Sequence, residues 1–424
     1  MEPDWVQDVP LSVPRVITPV AMQWKTNASA DPTDFRNRNP NAMSIRQLKF
    51  LPIILLASSV WGCRHGGNSG IETIEIQDLR PQEVLLSKFA SGMETIRLET
   101  GDDCLIGMIG GIKADSSRIY IADAVTRSLL IFNRNDGSFI TKLHKQGRGP
   151  GEYLEINDFL IDEKAETIEI LDSGKKHILV YDIGSLGFIR EIGYPATAWA
   201  FHKKDNLYYL DSRRMSNVID GVRTNSNVIT FDPSTNNLKA LFDYTRPEKE
   251  NRAFWLAGFG YGRNGELYFS QIWDNTFYRL EKDATVPVLK VDGGRKEIPQ
   301  NIKIGSYEQQ EQFLQTNDGG YMFYKLTYMD DGKAAFLFTD GTNPYHYIYC
   351  LHSDDRTLLT DNIIVDFIES RPSLNFANTM VCGDEIITVW LPGAEQSPEA
   401  SAFLRQVGAG KNDNPVITIF EIKP

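Results

Sequence analysis

Arg213 and Arg214 sit side by side in one polar segment, and Arg246, Arg252, Phe254 and Trp255 crowd a second. Trp199, Tyr261, Trp273 and Tyr321 fall at or near the ends of apolar runs. A guanidinium offers directed donors on a rigid fork, and an aromatic ring offers contact area at small entropic cost. Such residues, gathered on one surface, have the chemistry to hold a peptide, a protein partner or a glycan. The competing use of the same residues is structural, with the rings packed between sheets and the arginines on a solvated rim.

Groups fit for covalent or metal chemistry are sparser. The histidines are His65, His144, His177, His202, His346 and His352, with no HExxH and no His-x-His among them. His346 and His352 could share one side of a strand, but zinc needs further ligands that the spacing does not supply. There is no GxSxG elbow and no Walker A loop. The acid pairs Asp330-Asp331 and Asp354-Asp355 stand in turn contexts and read as hairpin tips rather than as a glycosidase pair. No catalytic residue, metal or cofactor is therefore expected. An enzyme, a hydrolase or lyase with polar groups at a channel mouth, is the alternative function.

The elements that must position these residues recur. A short apolar strand, a polar turn and a second strand appear six times, beginning at IYIADAVTRSLLIFNRNDGSFI (119–140) and IEILDSGKKHILVYDIGSLGFI (168–189). Further copies lie at 207–212 with 227–239, 267–280, 334–350, and 386–392 with 414–422. A repeated strand–turn–strand unit predicts an array of like units. Four strands per unit divide the chain at about 109–150, 155–192, 196–243, 255–291, 320–366 and 374–424. Residues 94–99 precede the first unit and are expected to complete the last one, which would remove a free sheet edge. Asp123, Asp172 and Asp211 follow the second strand of the first three units. Amide-binding turn residues explain that recurrence better than a metal ring does.

The first unit carries Ala122-Asp123, an Asp136-Gly137 turn and the loop GRGPGEY (147–153). In this it resembles an NHL repeat. Over roughly 93–424 the chain resembles the six-bladed propeller lipoproteins of Bacteroidetes, through LETGDDCLIGMIGGI (98–112), GRGPGEY and the closing NPVITIFEIKP (414–424). The fold expected is all-β, a six-bladed β-propeller of four-stranded antiparallel blades.

Residues 43–63 read MSIRQLKFLPIILLASSVWGC. Arg46 and Lys49 precede an apolar run of 12 residues, Phe50 to Trp61. That run is too short to span a bilayer and has the form of a secretory signal peptide. Val60-Trp61-Gly62-Cys63 resembles a lipobox, which implies cleavage before Cys63 and its lipidation. The expected organisation is a non-native, disordered extension over 1–42, a signal peptide over 43–62, lipidated Cys63 with a tether to 92, and the propeller over 93–424. Cys104, Cys350 and Cys382 are then expected as buried thiols. The location implied is the bacterial cell envelope, at a periplasm-facing outer membrane.

Formal net charge is −12, and the first 62 residues hold six basic and five acidic groups, leaving 38 and 51 in the rest. That excess of acid disfavours nucleic acid, which needs a basic footprint. In a propeller, the connection from strand two to strand three and the connection to the next blade lie on one face. The insertions 212–226, 244–256, 293–319 and 392–413 are all of these kinds, so that face is the expected binding surface. Within one of them, residues 306–316 read as a short helix with a Ser306/Gln309 capping box.

Overall fold

The computed structural model describes residues 71–423 except 214, 244–257, 264, 272–273, 283, 304, 317–319, 341–342 and 354–355. Cys63 with its signal segment, and Arg214, Arg246, Arg252, Phe254, Trp255 and Trp273, lie outside the described residues.

The fold is all-β and propeller-like. Sheet I contains Ile109–Ala114, Arg118–Asp123, Ser128–Asn133 and Phe139–Leu143, in that spatial order. Sheet II contains Asp158–Asp162, Thr167–Asp172, His177–Asp182 and Phe188–Gly193. Sheet III contains Ala200–Lys204, Leu207–Asp211, Ser226–Asp232 and Asn237–Asp243. A nine-stranded sheet follows, and the last sheet joins Thr379–Cys382, Glu385–Trp390, Val416–Ile422 and Ala90–Arg97. Sheets I to III and the last sheet are antiparallel throughout.

The strand pattern explains the stacking. In sheet I, Ser128–Asn133 (SLLIFN) is buried along nearly its whole length, so both of its faces meet protein. In sheet II the outer strand Phe188–Gly193 is mostly exposed. The apolar clusters lie between successive sheets. Tyr120 and Ile131 of sheet I pack with Phe159 and Ile170 of sheet II. Leu171 and Ile178 of sheet II pack with Phe201 and Leu210 of sheet III. Ile387 and Ile419 of the last sheet pack with Ile121 and Leu130 of sheet I, which brings the end of the array against its beginning.

Closure uses the N-terminal strand, as the sequence implied. Ala90–Arg97 pairs antiparallel with Val416–Ile422 and is the fourth strand of the last sheet. Arg134 bridges this seam, donating to Glu94 Oε1 at 2.8 Å and to Glu385 Oε1 at 2.6 Å. The Asp136-Gly137 turn grips the same strand, since the Glu99 N–H donates to the Gly137 carbonyl at 2.8 Å. Gly137 has φ +75°, and a Cβ there would stand 2.1 Å from the Arg97 carbonyl oxygen. Only glycine fits.

The expectation of six separate four-stranded sheets is corrected: among the described residues there are four such sheets, beside one of nine strands. The nine-stranded sheet contains Gly258–Gly262, Leu267–Ser270, Thr276–Leu280 and Thr285–Asp292, then Tyr321–Asp330, Lys333–Asp340, Asn343–Ser353 and Arg356–Thr360. Glu72–Glu75 adds in parallel to the Thr285–Asp292 edge. The two runs of four are joined where Tyr261 and Gly262 pair in parallel with Tyr328 and Met329. Glycine permits this contact. A Cβ on Gly260 would lie 2.7 Å from the Leu326 carbonyl oxygen, and one on Gly262 2.9 Å from that of Met329.

Short helices occupy the connections: α1 (Gln300–Lys303), α2 (Tyr307–Thr316) and α3 (Pro398–Gln406). The expected capping box is formed, with the Ser306 N–H donating to Gln309 Oε1 at 2.8 Å and the Gln309 N–H to Ser306 Oγ at 3.3 Å. Among the described residues no helix is long and apolar enough to cross a membrane.

Candidate functional site

The site begins with the ends of the second strands. Asp123 accepts the Val125 N–H at 3.0 Å in its own turn, and also the Met108 N–H at 3.0 Å in the segment entering the first strand. Asp172 does the same for Lys175 N–H at 3.0 Å and Leu154 N–H at 2.6 Å. Asp211 accepts the Arg213 N–H at 2.8 Å. These carboxylates are spent on backbone amides, as the turn reading required. Among the described residues no group of three or more His, Cys, Asp and Glu is arranged to hold a metal ion.

Antiparallel order fixes where the insertions go. A strand-two-to-three connection leaves from the end at which strand one begins, and a four-strand run also finishes there. The hairpin Asn217–Ile219/Val222–Thr224, the segment with α1 and α2, and the segment with α3 are all connections of these two kinds. The hairpin base is anchored, because Asn217 Oδ1 accepts the Thr197 N–H at 2.5 Å. Its tip is open, with Val218 60% and Val222 65% exposed. α3 instead packs down, burying Ala400, Phe403 and Leu404 against Trp390 and Phe420.

The sequence candidates divide. Arg213, at φ +48°, is enclosed by protein beside Asp211. Trp199 is half-buried, its backbone N–H donating to the Asp211 carbonyl at 2.9 Å. Tyr261 lies on a first strand, with its ring 5.5 Å from that of His202. Tyr321 is a core residue, 2% exposed, packed edge-on to Phe338 at 4.6 Å with the Lys296 ammonium 4.5 Å from its ring centre. Arg213 and Tyr261 thus face the same interior, whereas Tyr321 belongs to the packing of the nine-stranded sheet.

That interior brings Tyr261 together with polar residues to which the sequence assigned no role, among them Lys113, Asp158 and Lys325. The first strands carry Lys113, Asp158, His202, Tyr261, Lys325 and Cys382 in turn. Lys113 Nζ is 3.9 Å from Asp158 Oδ1, and Asp158 Oδ2 accepts the Phe201 N–H at 3.0 Å, tying sheets I, II and III together. Burial pushes the His202 imidazole down to about 4, helped by the charges of Lys113 and Lys204, so the ring is neutral at neutral pH. Burial pushes the Asp211 carboxyl up to about 6 against the opposing pull of Arg213 and Lys325. It also lowers the Lys325 ammonium, with Arg213 acting in the same direction and Asp211 against it. The Tyr261 phenol is raised well beyond the ordinary range, by burial first and then by Asp158. Nothing in a single sequence marks Lys113, Asp158 or Lys325, since a lone polar residue on an alternating strand normally faces solvent.

All three thiols in the described part are free, as expected, but only Cys104 and Cys350 are buried. Cys382 is intermediate, on the first strand of the last sheet, where burial raises its thiol and Lys113 opposes.

A solved structure shares the fold. A Bacteroides fragilis protein described as a "Putative exported protein" aligns with a TM-score of 0.59 at 16% identity, covering 84% of this chain and 100% of its own. A Bacteroides vulgatus protein of the duf4221 family aligns with a TM-score of 0.47 at 10% identity, covering 79% of this chain and 97% of its own. No curated protein matches the sequence. The model of the family named Domain of unknown function (DUF4934) matches residues 71–421, and the chain belongs to that family.

Proposed function

We propose that this chain is a lipid-anchored envelope protein whose propeller serves as a binding scaffold, not as an enzyme. The ligand is a peptide, a protein partner or a glycan of the envelope, held on the edge that carries the long connections. One observation carries the reading: the anchored hairpin with its exposed valines and the α1–α2 and α3 segments are all connections issuing from one end of their sheets. Arg213 and Trp199 stand at that end, beside Asp211. A rigid sheet scaffold with irregular segments collected at one end is the usual arrangement for recognition.

The finer architecture of this proposal is six-bladed and NHL-like. It takes the nine-stranded sheet as two four-stranded blades whose first strands touch at two residue pairs, with Glu72–Glu75 as an added edge. The anchor is Cys63, on the strength of the basic, apolar and lipobox-like pattern before it. The B. fragilis neighbour's description as exported agrees with an envelope location.

The experiment is a pull-down from envelope extract with the full chain in detergent, read by protein and glycan mass spectrometry. The comparison is the double variant Arg214→Ala/Trp255→Ala. The wild type should retain one protein or glycan in near-stoichiometric amount, and the variant should lose it while keeping its circular dichroism. Equal retention by both chains, or none by either, overturns the reading. Labelled palmitate should enter the wild type and not Cys63→Ser.

A further inference from the structure

The channel side chains share an unusual condition. Arg213, His202, Tyr261, Lys325 and Cys382 each keep some solvent-accessible surface. Yet protein surrounds each of them almost as completely as a core residue. A side chain enclosed on nearly every side and still wetted lines an internal cavity.

The charges in that cavity do not balance. Lys113 faces Asp158 at 3.9 Å. Asp158 is further occupied by the Phe159 N–H at 2.8 Å and the Phe201 N–H at 3.0 Å. The Arg213 guanidinium is held by the negative charges of Asp211 and Asp158, and Asp211 also accepts the Arg213 backbone N–H at 2.8 Å. Lys325 has no hydrogen bond or ion pair among the described residues, although it feels the charges of both Asp211 and Arg213. A second group is also unanswered. Nδ1 of His202 is buried without a hydrogen-bond partner. Buried polar atoms are nearly always paired, and an orphan beside a cavity points to something that occupies it.

We infer that the central channel is a binding site for a small monocarboxylate, whose charge answers Lys325. One uncompensated cation calls for one negative charge. A dianionic phosphate would leave an excess charge in a poorly solvated place. The carbon skeleton has an apolar wall to lie against, because the rings of Tyr261 and Phe259 stand 5.5 and 6.4 Å from that of His202. The carboxylate could belong to a sugar acid or to a peptide C-terminus, and the two sources present the same group to Lys325. The site borders the loop-edge reading at Arg213, but its test varies Lys325 while that reading is tested at Arg214 and Trp255, so each can fail without the other.

The test is calorimetric titration of the full chain at low ionic strength in carboxylate-free buffer. The probes are glucuronate, N-acetylglycine, glucose and inorganic phosphate. Glucuronate or N-acetylglycine should bind one per chain, glucose not at all, and phosphate more weakly than the better carboxylate. The carboxylate that binds identifies the source. Lys325→Met should weaken that binding tenfold or more, Lys325→Gln less, and Lys142→Met, at an exposed site, not at all. Removing a lone buried charge should leave folding intact or improved, which circular dichroism and thermal melting check. Absence of carboxylate binding to the wild type, tighter binding of phosphate, or unchanged affinity in both folded Lys325 variants overturns the inference.

Discussion

Replacing Asp211 by Asn removes an acid that is 2% exposed and titrates at about 6 instead of 3.8. The gap of about two pH units corresponds to about 3 kcal/mol. Its sign follows from proton counting. Between pH 4 and pH 6 the folded chain holds a proton on Asp211 that the unfolded chain has lost. Stability therefore falls as pH rises through this window and is flat above it. An Asn can still accept the Arg213 N–H that Asp211 accepts at 2.8 Å. Asp211→Asn should match the wild type at pH 4 and be more stable by about 3 kcal/mol at pH 7.

His202 acts in the opposite sense. Its folded form is neutral down to about 4, with Lys113 and Lys204 as the nearby cations, while an unfolded histidine charges below about 6.5. Acid therefore destabilises through His202 by about 2–3 kcal/mol between pH 6.5 and pH 4. The two groups nearly cancel in the wild type between pH 4 and 6. Asp211→Asn should thus lose stability on acidification through His202, and His202→Gln should gain it through Asp211. Urea unfolding at pH 4, 5, 6 and 7 reads these slopes. A constant gap between Asp211→Asn and wild type at every pH would refute the argument.

Other perturbations test how the sheets are held together. Glu169 is 1% exposed and accepts from Lys203 Nζ at 2.6 Å and Tyr208 OH at 2.8 Å, so Glu169→Gln, which leaves the lysine only the longer 3.5 Å contact to Asp162, should cost about 2–3 kcal/mol in denaturant unfolding. Arg134→Met removes the bridge to Glu94 and Glu385; it should cost about 2 kcal/mol and open the seam around Ala90–Arg97 to limited proteolysis. Gly260→Ala forces a Cβ against the Leu326 carbonyl and should cost about 2 kcal/mol. Faster hydrogen exchange in that variant should be confined to Gly258–Gly262 and Tyr321–Asp330.

Much of this scaffold could be read from residue order because its signals are local. The Asp123, Asp172 and Asp211 turns, the Ser306/Gln309 cap and the Asp136-Gly137 turn each need only a few neighbouring residues to be recognised. The closing strand was legible because residues 94–99 were left over once the repeats had been assigned. What escaped was contact between distant strands. The nine-stranded sheet exists because Gly260 and Gly262 let two first strands touch, and a glycine in a strand does not name its neighbour. Tyr321 was read as a binding-face aromatic from its place near a strand end, but packing against Phe338 and Lys296 takes it into the core.

The same division explains where a chain of this fold has room for chemistry. The second and third strands of sheets I and II are buried almost throughout, so a polar substitution there would leave an unpaired group between two sheets. The first strands of sheets I to III and of the last sheet are paired on one side only, and the two first strands of the nine-stranded sheet meet at just two residue pairs. Lys113, His202 and Lys325 can occupy them because the cavity supplies the hydration, or the ligand, that the sheet interfaces exclude. Position on the first strands and in the connections, more than overall charge or repeat identity, is what should separate the activities of proteins built this way. In this chain it concentrates the search on Lys325 and the orphaned nitrogen of His202.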